Sequence, residues 1–481
     1  MVKKVVFSFV FLFLTLLLAA TVLEANRFED WRRERKQQFD SFREERDRQF
    51  HSFLQQRWEQ MEVFRGEVED TAPKVPAQPE AAGAAESDQP AVETGTVEKV
   101  RDIKLEAAEE PEVKEVHEEA SRQQVEVDYF GHRFAFDVDR QGFDSLKLDS
   151  ADAGGVADFW EDFAALDPGP LVDRLEEIEK KLDLDGWGYM LLVEGLSERL
   201  VDSDNLARLV KWGLLIKSDY RVRVGYDDRD RIFLLYNFPD RLYQLPFFNL
   251  DGERYYVYNP PSGGIDSLST YPQNHDSASR AIDIDLNKNP AATGRKVERQ
   301  LQFEFQGDSY TIPASYSKEA VAYMKGRPQQ ALGRYFELTA GSGLGSEMLE
   351  KIEQKIEPLE YQEKVNFLLA FVQKSFDYKT DQDHFGREKY MLPAEILDFP
   401  YSDCDDRSIL FAWLVRRLLK RDVYGLDYPG HAATAVEFES PTGSYFNVDG
   451  RAFVISDPTF VNASAGMVMP RFEGVNPGLL P

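Results

Sequence analysis

The sequence predicts an α+β protein whose folded part contains one pattern of strands and helices twice, behind a long N-terminal helix. Each copy begins with two alternating strands around a glycine, Gly131 in the first copy and Gly307 in the second. Charged and apolar helical segments follow, and each copy ends with alternating strands. Helices and strands that are grouped in this way favour an α+β architecture. Chance similarity between two short segments is the alternative to a tandem duplication.

Three kinds of helix recur in the same order in the two copies. A charged helix is predicted from Leu171 and from Ser346, an apolar helix from Gly188 and from Val365, and a helix with a central tryptophan from Asn205 and from Asp405. The predicted boundaries are 123–298 for the first copy and 299–481 for the second. The second copy also inserts a loop, roughly Tyr378 to Tyr401, which is long enough to be functional.

Length and charge limit the classes of function. With 481 residues, of which 13% are aromatic, the chain can form two or three domains with substantial cores. Its formal net charge of −28 disfavours a protein whose main partner is nucleic acid, because phosphate binding needs a concentrated basic surface. We therefore expect no nucleic-acid partner.

Residues 1–25 are predicted to be a signal peptide or a signal anchor. Lys3 and Lys4 precede an almost unbroken apolar run from Val5 to Leu23. That run approaches the roughly 20 residues that span a bilayer, so cleavage and retention both fit it. We expect an exported protein of the periplasm or cell envelope, tethered to the inner membrane through residues 5–23 where the segment is retained.

An amphipathic helix is predicted over residues 26–66, because apolar residues recur there with an 11-residue period. The stripe consists of Phe28, Trp31, Phe39, Phe42, Phe50, Phe53, Met61 and Phe64. Eleven residues complete three helical turns, so these side chains share one face. We expect Phe28 to Phe64 to mediate self-association or to bind a partner helix, and a charged spacer with local packing is the alternative. Residues 67–122, rich in Ala, Glu and Pro, are predicted to be a disordered acidic linker.

Cys404 is the only cysteine of the chain, which excludes an intrachain disulfide and marks it as a candidate reactive thiol. It directly precedes a predicted helix, and a helix N-terminus and a nearby imidazolium both lower the pKa of a thiol. His431 follows Pro429 and Gly430, a turn that can orient the imidazole, and Asp457 can accept its second N–H. A buried core cysteine that packs as a small apolar residue is the alternative.

Acidic residues surround this cysteine. Asp403, Asp405 and Asp406 would oppose thiolate formation unless their side chains point away. His384, in the inserted loop, is a competing base. The spacing of Asp381 and Asp383 is similar to that of a calcium loop, but the glycine and the final glutamate of an EF-hand are missing, so we expect no metal site and no cofactor.

Three sequence blocks resemble the signature blocks of the bacterial transglutaminase-like superfamily, whose fold is papain-like. They are PYSDCDDRSILFAWLVRRLL, GLDYPGHAATAV and YFNVDGRAFVISDPTF, and the resemblance runs from about Phe367 to Phe460. It implies that Cys404 is the nucleophile, His431 the base and Asp457 the residue that orients the histidine. The superfamily contains transamidases, peptidases, amidases and inactive members, so the resemblance indicates a site rather than a substrate.

The resemblance implies an exported cysteine-dependent enzyme that attacks an amide carbonyl of a protein or peptide substrate. A catalytically inactive domain that binds a polypeptide or serves as an envelope scaffold is the alternative. The backbone N–H of Cys404 is the first candidate oxyanion donor, and Tyr401 and Tyr390 are candidates for the second. Near the position of the cysteine, the first copy has Ser203, Asp204 and Asn205. It has Asp230 or Arg231 near the position of the histidine, and Asn259 at the position of the aspartate. We therefore predict that the first copy is non-catalytic.

Overall fold

The computed structural model describes residues 44–55, 58–62, 122–260, 264–289, 294–338 and 346–481. It is 40% helical and 27% strand, with two curled sheets, so the predicted α+β class is confirmed. The residues predicted as signal segment and nearly all of those predicted as linker lie outside the described ranges. Within those ranges, no helix has both the length and the apolar character needed to cross a membrane.

The segment before the linker forms a helix and then a strand. Residues 44–54 form helix α1, and Glu59–Glu62 form strand β1. The prediction of one helix over 26–66 is therefore wrong for β1. Tertiary contacts override helix propensity there, because β1 pairs antiparallel with the edge strand β8 (Ser267–Thr270) and satisfies backbone groups that the edge would leave open.

The first unit, residues 122–289, contains hairpin strands, five helices and strands of one sheet. In chain order they are β2 (Arg122–Tyr129), β3 (His132–Asp139), α2 (Arg140–Ser145), α3 (Ala153–Ala165), α4 (Gly169–Leu182), α5 (Gly186–Leu200), α6 (Asp204–Lys217), β4 (Val222–Tyr226), β5 (Ile232–Asn237), β6 (Phe247–Leu250), β7 (Glu253–Val257) and β8. The antiparallel sheet has the order β1-β8-β4-β5-β7-β6. Helix α6 packs on β4 and β5, and α5 packs on α6.

The second unit, residues 296–481, repeats this order with additional short elements. They are β9 (Lys296–Phe305), β10 (Asp308–Ser317), α7 (Lys318–Gly326), α8 (Leu332–Phe336), α9 (Ser346–Ile356), α10 (Tyr361–Ser375), β11 (Asp377–Tyr378), α11 (Asp381–Phe385), α12 (Pro393–Asp398), β12 (Tyr401–Ser402), α13 (Cys404–Leu414), β13 (Val423–Tyr428), β14 (His431–Phe438), β15 (Tyr445–Val448), β16 (Arg451–Ser456) and β17 (Gly478–Leu480). The antiparallel sheet has the order β15-β16-β14-β13-β17. The inserted segment, predicted as a loop, contains the short helices α11 and α12.

The two units use the same turns at corresponding places. Both opening hairpins have two turn residues with positive φ, Phe130 (43°) and Gly131 (88°) in the first unit and Gln306 (51°) and Gly307 (91°) in the second. The β6–β7 and β15–β16 turns are both Asp-Gly, again with positive φ at both residues. Two positive φ values define the hairpin turn that suits the twist of the strands. With the sheet orders, these turns match the opening hairpin and each strand of the five-stranded sheet of the second unit to a strand of the first unit.

Helix α1 packs against the first unit through its aromatic face. Phe50 lies edge-on to Trp160, with ring centroids 4.9 Å apart, and to His275, at 4.7 Å. Phe53 contacts Tyr271, and Met61 of β1 packs on the apolar outer cluster of the sheet. This part of the aromatic stripe is therefore occupied by the chain itself. The binding of a partner helix stays a prediction for the rest of the stripe, which lies outside the described residues.

Acidification is expected to weaken the packing of α1, because His275 is neutral in the folded protein. Burial lowers the pKa of His275 to about 3, with smaller contributions from Arg46 and Lys217, and Asp47 lies 3.9 Å from its Nε2 atom. A histidine whose folded pKa lies below its unfolded value of about 6.5 contributes stability that is complete above that pH and is lost as the pH falls. The free energy of unfolding should drop by about 2 kcal/mol from pH 6.5 to 4.5.

Urea unfolding at the two pH values measures this contribution. His275→Phe should reduce the loss of stability on acidification, whereas the control His132→Phe, in the β2–β3 hairpin, should retain it. An equal loss in wild type and His275→Phe would contradict the assignment.

A buried polar cluster joins the two units. The Asp185 carboxylate accepts hydrogen bonds from the Gly188 N–H (2.8 Å), the Tyr323 hydroxyl (2.9 Å) and the Asp285 N–H (2.9 Å). The Arg327 guanidinium lies 3.6 Å from the same carboxylate. Asp185 thus caps α5 of the first unit and contacts Tyr323 and Arg327 of the second unit, so the cluster connects the two units.

Asp185→Ala is expected to lower the free energy of unfolding by about 3–5 kcal/mol, because it removes a helix cap and leaves Arg327 as a buried charge without its carboxylate. Glu177→Ala, which breaks an exposed ion pair with Arg174, is the control and should cost less than about 0.5 kcal/mol. Chemical denaturation of both variants tests this, and similar losses would show that the buried cluster is not stabilising.

Candidate functional site

Cys404 is the first residue of α13 and is buried, with 1% of its surface exposed. The helix follows β12, which pairs in parallel with β11 across the inserted segment. Arg407, one turn into α13, donates hydrogen bonds to the Phe376 carbonyl (2.6 Å) and the Ser402 hydroxyl (3.2 Å). These contacts hold the start of α13 against the end of α10. The thiol therefore has a defined position where the helix dipole favours a negative charge.

Strand β14 is tied to the first turn of α13 at two places. The Ala432 N–H lies 3.5 Å from the Cys404 sulfur and donates to it, and the Ser408 hydroxyl donates to the Ala432 carbonyl at 3.1 Å. His431 is the residue immediately before Ala432 and begins β14. The preceding turn is tight, since Gly430 has a φ of 68° and Tyr428 pairs directly with His431. This hairpin brings the histidine beside the start of the helix.

His431 and Asp457 form a buried hydrogen bond of 2.8 Å between Nε2 and Oδ2. The other carboxylate oxygen accepts the N–H groups of Thr459 (2.8 Å) and Phe460 (3.1 Å). The imidazole stacks on Phe472, with ring centroids 5.2 Å apart and planes 7° from parallel. Because Nε2 faces the aspartate, Nδ1 is the nitrogen left to exchange a proton with a thiol.

Gln373 of α10 holds the segment that carries Asp457. Its amide nitrogen donates to the carbonyls of Asp457 (3.0 Å), Phe460 (2.9 Å) and Ala463 (3.1 Å), and its oxygen accepts the Asn462 N–H at 3.2 Å. Gln373 is buried. The sequence analysis did not single it out, and no local motif marks it, because its partners lie more than 80 residues away along the chain.

The aspartates beside the cysteine do not point into solvent. Asp403, Asp405 and Asp406 are all buried. Burial and the neighbouring carboxylates raise the pKa of Asp403 and of Asp406 well above the ordinary range, and burial with Asp406 and Asp405 raises that of Asp381 to about 10. Asp381 is therefore favoured in the neutral form at pH 7, and the shifts of Asp403 and Asp406 act in the same direction. Their expected opposition to a thiolate is reduced accordingly.

Among the described residues, these carboxyl groups have oxygens close enough to one another to suit a hard cation. One oxygen each of Asp381, Asp403 and Asp406 lies within 4.8 Å of the others, and Asp405 also belongs to two such groups. The buried Oδ1 of Asp403 has no hydrogen-bond partner among the described residues. Carboxylate oxygens are ligands of Ca²⁺ and Mg²⁺. The sequence analysis did not anticipate this convergence.

Tyr378, which the sequence analysis did not select, interacts electrostatically with the thiol. Burial raises its pKa, followed by the negative charges of Cys404, Asp403 and Asp405. Tyr378 reaches this place because β11 pairs with β12, where it lies opposite Ser402. Its position on the strand next to the cysteine could be recognised only from this long-range pairing.

The other predicted residues contact different groups. Tyr401 packs against the ring of His384 at 5.4 Å and lies under Lys379 at 5.1 Å. Tyr390 packs on Tyr335 at 5.4 Å, and its N–H donates to Gln329. His384 also stacks on Phe385, and burial lowers its pKa. These contacts place His384 in an aromatic cluster of the inserted segment.

Comparisons with known proteins add no assignment. No family model matches the chain, and neither a curated protein nor a solved structure matches it. Conclusions about function must therefore come from the geometry of the site.

Proposed function

We propose that the chain is a cysteine-dependent acyl-transfer enzyme that attacks amide carbonyls of a protein or peptide substrate, with a papain-like core in its second unit. The observation that supports this most is the connection of the only cysteine, at a helix N-terminus, to a histidine–aspartate pair. The Ala432 N–H contacts the Cys404 sulfur at 3.5 Å, and the adjoining His431 bonds Asp457 at 2.8 Å. A thiol, a base and a group that orients the base are the parts that nucleophilic catalysis requires.

In this proposal, His431 Nδ1 takes the proton of the Cys404 thiol, and the thiolate adds to the amide carbonyl. The Cys404 N–H stabilises the resulting oxyanion, and Tyr378, whose hydroxyl interacts with the charge of Cys404, joins Tyr401 and Tyr390 as a candidate for the second donor. The C–N bond then breaks, and the imidazolium returns its proton to the leaving amine. Water or another amine resolves the thioester, which gives hydrolysis or transamidation.

The proposed setting is the cell envelope. Residues 5–23 would tether the protein to the inner membrane, and residues 67–122 would give the folded units reach from that anchor. The net charge of −28 disfavours binding to phosphate groups, so nucleic acid is not among the proposed partners.

The second candidate is an inactive module that binds a polypeptide. The burial of both Cys404 and His431 favours it, because an acyl group must reach the sulfur. Phe472 stacks on one face of the imidazole and adds to the burial of the pair. A binding module does not need access to the sulfur.

Alkylation of Cys404 by iodoacetamide as a function of pH distinguishes the candidates. The full chain is the appropriate sample, because α1 and β1 pack on the first unit, and its single cysteine makes the readout specific. At pH 6 an ordinary thiol is only about 0.3% thiolate, so a thiolate–imidazolium pair should react about 100-fold faster than Cys404 in His431→Ala.

His384→Ala is the matched control and should retain the reactivity of wild type. Unfolding in urea should make Cys404 equally reactive in all three proteins, which establishes that the thiol is intact. If Cys404 of the folded wild type reacts as an ordinary thiol, or does not react, the enzyme proposal is rejected and the binding module is preferred.

A further inference from the structure

The first unit has a residue at each position that corresponds to the proposed catalytic site. The correspondence follows the strand register counted from the two Asp-Gly turns, which places Val257 of β7 at the position of Ile455 of β16 and Asn259 at that of Asp457. Val257 pairs with Leu235 of β5 and Ile455 pairs with Ala435 of β14, so Arg231 is at the position of His431. Asp204 begins α6 as Cys404 begins α13. A guanidinium stays protonated, so the first unit lacks a base at the position of the histidine.

Asp204 and Asn259 line one cavity, together with Ile232, the residue next to Arg231. It has a volume of about 170 Å³ and is formed by α5, α6, β5 and the end of β7. A dry cavity of about 150 Å³ can already admit a molecule as large as benzene. The first unit therefore retains space for a small ligand where the second unit has its cysteine, histidine and aspartate.

The inner part of the cavity carries a buried cation. Lys211 is 3% exposed, and its Nζ lies 3.4 Å from Glu194 Oε1 and 5.1 Å from the centre of the Tyr236 ring. Lysines are almost never so buried without a partner. Burial opposes the charge of Lys211, but Tyr236 and Glu194 outweigh it, so the pKa of Lys211 is raised and the ammonium is retained.

The rest of the lining contains acidic, basic and apolar groups. Glu198 and Asp204 are exposed, Arg208 is half-buried, and Ile232 and Leu234 form an apolar wall. The cavity thus offers an ammonium, carboxylates and an apolar surface within one small volume. Few small molecules match all three features, and an α-amino acid is one that does.

We propose that this cavity binds a free α-amino acid with a small apolar side chain. The ligand carboxylate pairs with Lys211, its ammonium pairs with Glu194, and its side chain packs on the wall of Ile232 and Leu234. The Lys211–Glu194 separation of 3.4 Å is longer than the roughly 2.7–2.9 Å of a charge-assisted hydrogen bond, so a zwitterion can improve both interactions. The site requires no chemistry from Cys404 and is independent of the proposed enzymatic activity.

Isothermal titration calorimetry of the full chain with L-valine tests the proposal. We expect one saturable site with a Kd of about 1 mM or lower. N-acetyl-L-valine lacks the ammonium and L-valinamide lacks the carboxylate, so both should bind at least tenfold more weakly. Cys404→Ala should bind L-valine as wild type does, which separates this proposal from the enzymatic one.

Two variants test the location in different ways. Ala207→Trp fills the cavity from α6, and Lys211→Met removes the cation, so each should weaken L-valine binding at least tenfold. Lys180→Met, on the exposed face of α4, is the matched control and should bind normally. Circular dichroism establishes whether each variant is folded. If Lys211→Met does not fold, L-valine binding by Ala207→Trp tests the location of the site. Two results would overturn the proposal. One is the absence of saturable binding at 10 mM L-valine, on the order of ten times the expected Kd, and the other is unchanged binding by folded Ala207→Trp.

Discussion

Asp457→Asn is expected to lower the rate at which Cys404 is acylated by p-nitrophenyl acetate at pH 7 by a factor on the order of 30, because an ordinary thiol is about 3% thiolate at that pH. The asparagine oxygen can still accept the Thr459 and Phe460 N–H groups, so the local loop is retained. Its amide, however, donates a proton towards His431 Nε2. That donation favours the tautomer with the proton on Nδ1, which cannot take the proton of the thiol.

The release of p-nitrophenolate measures the acylation rate, and mass spectrometry locates the acetyl group. Asp449→Asn is the matched control, because Asp449 lies in the exposed β15–β16 turn with a φ of 50°, a conformation that asparagine tolerates. It should react as wild type does. A folded Asp457→Asn protein with an unchanged rate would show that Asp457 does not orient a catalytic histidine.

Gln373→Leu is expected to lower the free energy of unfolding by about 2–6 kcal/mol. The leucine would leave the buried carbonyl groups of Asp457 and Ala463 without their donor, while the Phe460 carbonyl keeps the Ala463 N–H. Each unsatisfied buried acceptor costs about 1–3 kcal/mol. Because Asp457 is one of the two, the variant should also lose the reactivity of Cys404 below pH 7, even at temperatures where it remains folded.

Gln354→Leu tests whether the effect comes from burial rather than from the change of residue type. Gln354 lies on the exposed face of α9, so its replacement should change stability by less than about 0.5 kcal/mol. Urea denaturation and iodoacetamide alkylation at pH 6 provide the two readouts. Equal stabilities for the Gln373 and Gln354 variants would contradict the proposed role of the Gln373 amide.

The sequence alone identified the features that depend on local patterns. The charged, apolar and tryptophan-containing helices occur where the periodicity predicts them, at α4 and α9, α5 and α10, and α6 and α13. The α+β class follows from the same grouping of elements. Cys404, His431 and Asp457 could be selected because each begins or directly follows a predictable element.

Only the tertiary structure decided features that depend on distant partners. Residues 59–62 form a strand because the edge of β8 is available to them, although their sequence period is helical. Tyr378 lies beside the thiol through strand pairing, and Gln373 holds the Asp457 segment across the core. The cavity of the first unit likewise combines residues from α5, α6 and the sheet. Such arrangements depend on packing between elements that are far apart in the chain, and a local sequence pattern does not encode that packing.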